Sequence, residues 1–218
     1  MQTEMKSYYS ARATYYDAVY AQPERKDDIA FLSQHLPERL ASRKVLEIAC
    51  GTGFWSQFIA PASAAYTATD GVAEPLALAR ERLEGLCDDI QIADAYALPS
   101  ALGSFDAAFA GLWFSHVPIE RRDDFFASLH ARLTPGARVV LIDNSDVQCK
   151  DLPIAETDAH GNTFQHRALR DGSVHRVLKN FPSEDELLAL AESLGAKQCQ
   201  YRMLDNFWYF EYELPDAN

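Results

Sequence analysis

The sequence predicts an α/β fold: a seven-stranded, largely parallel sheet flanked by helices, closed by a C-terminal antiparallel hairpin and carrying an inserted β-hairpin. Two observations carry most of this. Lys44 to Glu47 is a short apolar run ending in an acid, which reads as a buried parallel strand. It breaks into Gly51-Thr52-Gly53, and an apolar face returns at helical spacing from Trp55 to Ala60. Beyond it, strand-like runs alternate with helical segments until Lys197, after which two strands follow each other directly.

Strand, glycine turn and helix bring a ligand to the carboxyl end of the first strand. Glycine is needed there because a side chain would hold the ligand off the backbone. The helix start adds unpaired N–H groups and partial positive charge. A diphosphate cradle wants a third small residue three positions after Gly53 to pack the helix tightly. Ser56 stands there, preceded by bulky Phe54 and Trp55, so such a cradle is poorly made. Glu47, beside the turn, would repel a diphosphate and suits a ligand carrying positive charge.

The amino-terminal stretch clusters Tyr8, Tyr9, Tyr15, Tyr16 and Tyr20 around Arg12. From Ser7 to Tyr20 the spacing suits an amphipathic helix with Ser7 as its cap. Such a helix either packs its tyrosines on the sheet edge or lies as a lid over a ligand. Pro23 ends it, and Asp27 to Leu36 reads as a second helix leading to Pro37. After the first strand and its helix, Ala65 to Asp70 is strand two. Asp70 follows the glycine turn by about twenty residues, where an acid accepts hydrogen bonds from ribose hydroxyls. It also precedes Gly71 and a helix from Ala73 to Leu83, so a capping role can coexist.

Ile90 to Ala93 is strand three, ending at Asp94-Ala95. Pro99 and Gly103 bracket a loop before strand four, Phe105 to Gly111. Leu112 to Pro118 then leaves the strand's carboxyl end as an aromatic–histidine loop, where α/β enzymes place chemistry. Arg121 to Leu133 has helical spacing, Thr134-Pro135-Gly136 is a turn, and Arg138 to Asp143 is strand five. Asn162 to Leu169 and Val174 to Lys179 form a hairpin around Asp171-Gly172. It carries His160, His166 and His175 without zinc-site spacing, so a cover that shapes a substrate pocket is expected rather than a metal. Ser183 and Glu186 occupy capping-box positions of a helix that runs to Leu194 and ends at Gly195. Lys197 to Leu204 and Phe207 to Leu214, joined at Asp205-Asn206, close the sheet.

Length and composition bound the partners. At 218 residues, one domain with a full core is the default. A formal net charge of -12 argues against a nucleic-acid groove, which needs a basic face. Cys50, Cys87, Cys149 and Cys199 are scattered, as in a reduced cytoplasmic protein. Met1-Gln2-Thr3-Glu4 shows no leader, and no apolar run is long enough to span a bilayer. No repeats or second domain are evident. The expected organisation is one domain over residues 1–218: a helical lid at 1–40, a ligand-binding core at 41–146, a hairpin insertion at 147–180, and a closing helix and strands at 181–214.

At Val45-Leu46-Glu47-Ile48-Ala49-Cys50-Gly51-Thr52-Gly53 the chain resembles the class I S-adenosylmethionine (SAM)-dependent methyltransferases, with Ala49 in place of the motif's first glycine. Their first motif reads hydrophobic-hydrophobic-Asp/Glu-x-Gly-x-Gly-x-Gly. Tyr9 to Asp17, Phe105-Asp106 and Leu133-Thr134-Pro135-Gly136 are similar to other passages of small-molecule members, and the resemblance covers about Tyr9 to Leu214. It implies a Rossmann-like fold with the C-terminal hairpin, SAM as cofactor and S-adenosylhomocysteine (SAH) as product.

The implied cofactor contacts are Glu47, Ala49, Gly51, Gly53 and Trp55 around the first turn, then Asp70 and Gly71 for the ribose. Asp94 and Ala95 would meet adenine, with Gly111 and Leu112 beyond strand four and Arg12 and Tyr16 from the lid. Tyr8, Tyr9, Trp113, His116, Asn144 and His166 are the expected substrate contacts. Asp143-Asn144 is similar to the metal pair of catechol-type members, but Ala110, Gly111 and Leu112 supply no further carboxylate, so no metal is expected. His116 is the candidate general base, since unperturbed histidine titrates near neutrality; the plainer reading is a loop histidine bonding backbone groups.

The expected function is methyl transfer to a small-molecule N or O acceptor, flat or aromatic given the tyrosines, Trp113 and Phe114. Nucleic-acid and membrane partners are not expected, and monomer and homodimer stay open. An NAD-dependent oxidoreductase would share the strand–turn–acid pattern, although Ser56 and the terminal hairpin count against it. A non-catalytic SAM-binding partner subunit is the third reading.

Overall fold

In the computed structural model, which describes residues 2–217, β1 (Lys44–Ile48) pairs in parallel with β2 (Ala65–Asp70) and β4 (Phe105–Gly111). Met1, part of the stretch inspected for a leader, and Asn218 lie outside the described residues. β3 (Asp89–Ile92) extends the sheet beyond β2, and β5 (Leu133–Asn144) extends it beyond β4. β10 (Phe207–Glu213) runs antiparallel to β5 and carries β9 (Lys197–Met203) as the outer strand. The order is β3-β2-β1-β4-β5-β10-β9. Seven strands and the closing hairpin therefore stand where the apolar pattern predicts. Strand order reverses between β1 and β4, so a crevice opens at their carboxyl ends.

Side chains alternate across the strands and build two core layers. Leu46, Ile48, Ala108, Val139 and Trp208 face α5 (Arg122–His130) and α6 (Glu184–Ser193), meeting Phe125, Phe126, Leu129 and Leu187. Val45, Ala68, Phe109, Val140 and Phe207 face the other side. There they meet Leu32, Leu36 and Leu40 of α2 (Lys26–Leu40), Ile59 of α3 (Ser56–Ile59), and Leu76 and Ala79 of α4 (Ala73–Arg82). The capping box of α6 is formed as its sequence predicts, Ser183 accepting from the Glu186 N–H.

A smaller antiparallel sheet of β6 (Glu156–Thr157), β7 (Thr163–Ala168) and β8 (Val174–Leu178) holds the inserted hairpin. α1 (Gln2–Arg12) lies against it, packing Met5 on Phe164 and Leu178, and Tyr8 on Leu169 and Val177.

Three boundaries differ from the sequence reading. The single helix expected over 7–20 is α1 followed by a 3₁₀ stretch, Ala13–Val19, kinked at Tyr15. Thr14, Tyr15 and Tyr16 are weak helix formers. Asp17 is drawn instead to the Thr52 hydroxyl (2.5 Å) and to Arg82. α2 continues through Pro37, because only the last turn lies beyond it and Leu36 and Leu40 are fully buried. β5 starts at Leu133 and absorbs the expected turn, Gly136 taking φ +71°.

Candidate active site

The end of β1 turns through Ala49, Gly51 and Gly53, all with positive φ (+55°, +57° and +75°). A side chain costs roughly 1–2 kcal/mol in that region, which accounts for glycine at two of the three positions. A Cβ at Gly51 would meet nothing within 4 Å, so the backbone here is open, whereas one at Gly53 would press on Leu83 at 3.1 Å. Asp70 ties the turn to β2: its carboxylate accepts from the Gly51 N–H (2.9 Å) and the Val72 N–H (2.8 Å). Burial raises the Asp70 carboxyl, and these N–H donors oppose the shift.

Around this turn lies a cavity that gathers the carboxyl ends of four strands. Glu47, Ala49 and Gly51 come from β1, Asp70 and Gly71 from β2, Asp94 and Ala95 from β3, and Gly111 to Trp113 from β4. Met5, Lys6, Tyr9, Tyr16 and Tyr20 cover it, so the amino-terminal segment spans the strand ends rather than the sheet edge. Three of its carboxylates come from three successive strands, and Lys6 is the cation among the lining residues.

Glu47 is strongly perturbed. It is buried, and its Oε2 accepts from the Ser56 and Tyr66 hydroxyls, the latter at 2.9 Å. Burial lifts its pKa to about 7, the two hydroxyls pulling it back and Asp70 adding to the rise. The folded value lies above the unfolded one, so folding favours the protonated form. Stability from this group is present below the ordinary carboxylate value and is lost as pH rises through about 7. Glu47→Gln, which keeps the hydrogen bonds without the charge, should remove roughly 3 kcal/mol of the stability lost between about pH 4.5 and 8. Urea unfolding of both proteins across that range checks it; parallel curves would contradict it.

A second cavity of about 300 Å³ opens beyond the first. Tyr9, Tyr16, Leu112 and His116 line both and form the shared wall. Leu112 takes φ +56°, a strained conformation at the point where β4 enters this wall.

His116 is fully engaged. Its Nδ1 faces the Leu178 carbonyl at 2.5 Å, which can only accept, so Nδ1 carries the proton. Nε2 then accepts from the Tyr9 hydroxyl at 2.7 Å. Burial, with Lys179 and Arg167 nearby, holds the ring's pKa down to about 3, so it is neutral at physiological pH. Burial likewise pushes the Tyr9 phenol up.

The second cavity is also lined by Arg12, Arg25, Arg167 and Lys179. Lys179 donates to Asp143 Oδ1 (2.6 Å) and the Ser115 hydroxyl (2.7 Å). Burial pulls its ammonium down to about 8, against the attraction of Asp143. Burial also pushes the Asp143 carboxyl up, but Lys179 outweighs it and the net shift is downward. Arg167 rests its guanidinium on neutral Gln165 Oε1 (2.7 and 3.1 Å).

Residues 45–136 match a family model described as a methyltransferase domain. A solved DhpI–SAH complex is 29% identical over 99% of this chain and 97% of its own, with a TM-score of 0.78. The DhpI–SAM–HEP complex is 28% identical over 97% of each chain, also at 0.78. Residues 45–136 thus resemble a methyltransferase domain, and the chain as a whole is similar to SAM-dependent methyltransferases. N-methyltransferase NodS from Bradyrhizobium japonicum WM9, 16% identical over 90% of this chain and 99% of its own with a TM-score of 0.62, shares the fold. No curated protein matches this chain by sequence.

The structure brings most of the sequence-read residues together. Tyr16, Glu47, Ala49, Gly51, Trp55, Asp70, Gly71, Asp94, Ala95, Gly111 and Leu112 line the first cavity, as do Tyr9, Trp113 and His116. Four of the sequence-read residues stand elsewhere. Gly53 lies behind the turn against Leu83 and does not line the cavity. Arg12 lines the second cavity, not the first. Tyr8 is turned into the hairpin, its hydroxyl accepting from Arg12 at 2.8 Å. His166 is exposed on β7, paired with Glu156 at 2.7 Å and away from both cavities. Asn144, read from the sequence as a substrate contact, lines the second cavity. Arg25, Gln148, Arg167 and Lys179 were not foreseen; their positions carry no local motif.

Proposed function

We propose that this methyltransferase uses SAM to methylate an oxygen or nitrogen of a small molecule held in the second cavity. The observation that supports this most is the carboxylate set of the first cavity. Glu47, Asp70 and Asp94 converge there with one lysine, a charge pattern that disfavours a diphosphate and suits a ligand bearing ammonium and sulfonium groups. The expected NAD alternative loses support on the same ground.

When bound, SAM supplies an already activated methyl group. Asp70 would accept from its ribose hydroxyls, Asp94 from the adenine amine, and Glu47 would answer its positive charge. The chain's own work is to orient and to exclude water. Tyr9, Tyr16, Leu112 and His116 line both cavities, so a methyl donor in the first would lie next to an acceptor in the second. A volume of about 300 Å³ suits a metabolite rather than a polymer. Among the described residues no helix is long and apolar enough to cross a membrane.

His116 acts here as a positioning residue: its neutral ring holds the Tyr9 hydroxyl and leaves no free lone pair for a proton. Base catalysis would require Tyr9 to move away. His116→Ala should therefore leave SAH affinity within a few-fold. The parent's rate should show no acid limb near the ordinary histidine pKa. A limb there that vanishes in the variant would restore His116 as the base.

The reading as a whole is tested with SAM labelled on the methyl group, incubated with the full chain and fractionated cell extract. Label should enter the small-molecule fraction. Label confined to protein or nucleic acid would contradict the acceptor class. Binding without any transfer would favour the non-catalytic subunit.

A further inference from the structure

The second cavity has the wrong charge for this protein. The chain carries a net charge of -12, yet Arg12, Arg25, Arg167 and Lys179 all line one small space. Arg25, Arg167 and Lys179 are 8%, 7% and 1% exposed. Of the carboxylates nearby, Asp143 is held by Lys179, while Glu24 and Asp151 are exposed. Among the described residues no carboxylate comes within ion-pair distance of Arg12, Arg25 or Arg167. Arg25 Nε is buried with no hydrogen-bond partner, and its guanidinium otherwise lies over the Phe207 ring. Buried cations held by neutral groups cost stability unless an anion joins them. Guanidinium groups also present forks that match planar or tetrahedral oxyanions.

A second feature points the same way. Asn144, 5% exposed, lines this cavity, and its Oδ1 is buried without a partner. A carbonyl left free beside a polar cavity asks for a donor on the ligand.

We infer that the second cavity is an oxyanion site: the acceptor carries a carboxylate or phosphate-type group held by Arg167, Lys179 and Arg25, with a hydroxyl or amine donor facing Asn144. This rests on the reading of that cavity as the acceptor site and narrows its ligand from any small molecule to an anionic one. The cations reach the space from three separate segments, the start of α2, the end of β7 and the residue after β8, so the site exists only in the folded chain.

The test uses the full chain, with and without saturating SAH, and three probes: inorganic phosphate, glycolate, and its neutral isostere glycolamide. Calorimetry should show phosphate or glycolate binding at one site and glycolamide at least tenfold weaker, since charge-assisted bonds are lost. Whichever anion binds more tightly identifies the oxyanion type. Arg167→Gln should weaken the anion tenfold or more while SAH affinity is kept. If that variant fails to fold, Arg25→Gln serves in its place. Arsenate soaked into parent crystals should appear by anomalous scattering beside Arg167 and Lys179. Equal binding of glycolate and glycolamide, or no anion binding in either state, would overturn the inference. Failure of SAH to bind, with the anion still bound, would instead count against the cofactor reading alone.

Discussion

Asp70→Ala should lower affinity for SAM and SAH by about tenfold or more. The carboxylate is buried at the end of β2, and both its oxygens already hold backbone: one the Gly51 N–H, the other the Val72 N–H. Each oxygen keeps a further lone-pair direction for a ribose hydroxyl. A hydrogen bond accepted by a charged group is worth roughly 1.5–3 kcal/mol, which corresponds to the tenfold estimate. The substitution acts twice, because it also frees the turn whose open backbone faces the cofactor. Asp70→Asn separates the two effects, since it retains one acceptor for the turn. Calorimetry with SAH on variants of native circular dichroism decides the matter. Unchanged affinity in folded Asp70→Ala would remove Asp70 from the cofactor site.

Asp143→Ala should be the most destabilising single change, costing about 3–5 kcal/mol near neutral pH. Asp143 is completely buried and gathers Lys179, the Ser115 N–H (2.9 Å) and the Asn144 N–H (2.8 Å). Its removal leaves a buried ammonium and two N–H groups unanswered. The pH dependence carries a sign. Lys179 titrates at about 8 when folded, below its ordinary value, so the unfolded chain holds the extra proton between the two. This group's contribution to stability therefore rises with pH across that window. Without Asp143 the lysine would shed its proton at still lower pH, so the cost of the substitution should shrink as pH rises towards about 8 and level off above it, where the lysine is neutral in both folded proteins. Urea unfolding at neutral and alkaline pH measures both. A loss below about 1 kcal/mol at neutral pH would show that the pair contributes little.

The fold was legible because its signals are local. An apolar run, a glycine turn and a returning helical face lie within a dozen residues, and the closing hairpin is two adjacent strands. The carboxylates of the first cavity were legible too, since each ends a strand and topology alone brings strand ends together. The second cavity was not. Along β7, neighbouring residues point to opposite faces, and a one-residue difference decides the assignment. His166 drew attention as a histidine but faces solvent, whereas Arg167 beside it turns inward. Tyr8 and Tyr9 divide in the same way on α1, the first into the hairpin and the second onto His116. Nothing in a single sequence marks Arg25, Arg167 and Lys179 as neighbours, because separate segments bring them together. His116 stood out in the sequence as a loop histidine, but its chemistry depends on the Leu178 carbonyl and the Tyr9 hydroxyl, both distant in sequence.

The most direct measurement of the central claim is calorimetric titration of the purified full chain with SAM, SAH and NAD. Saturable 1:1 binding of SAM and SAH, with no heat from NAD, is the expected result, and Asp70→Ala should weaken the first two together. Binding of NAD with no response to SAM or SAH would contradict it.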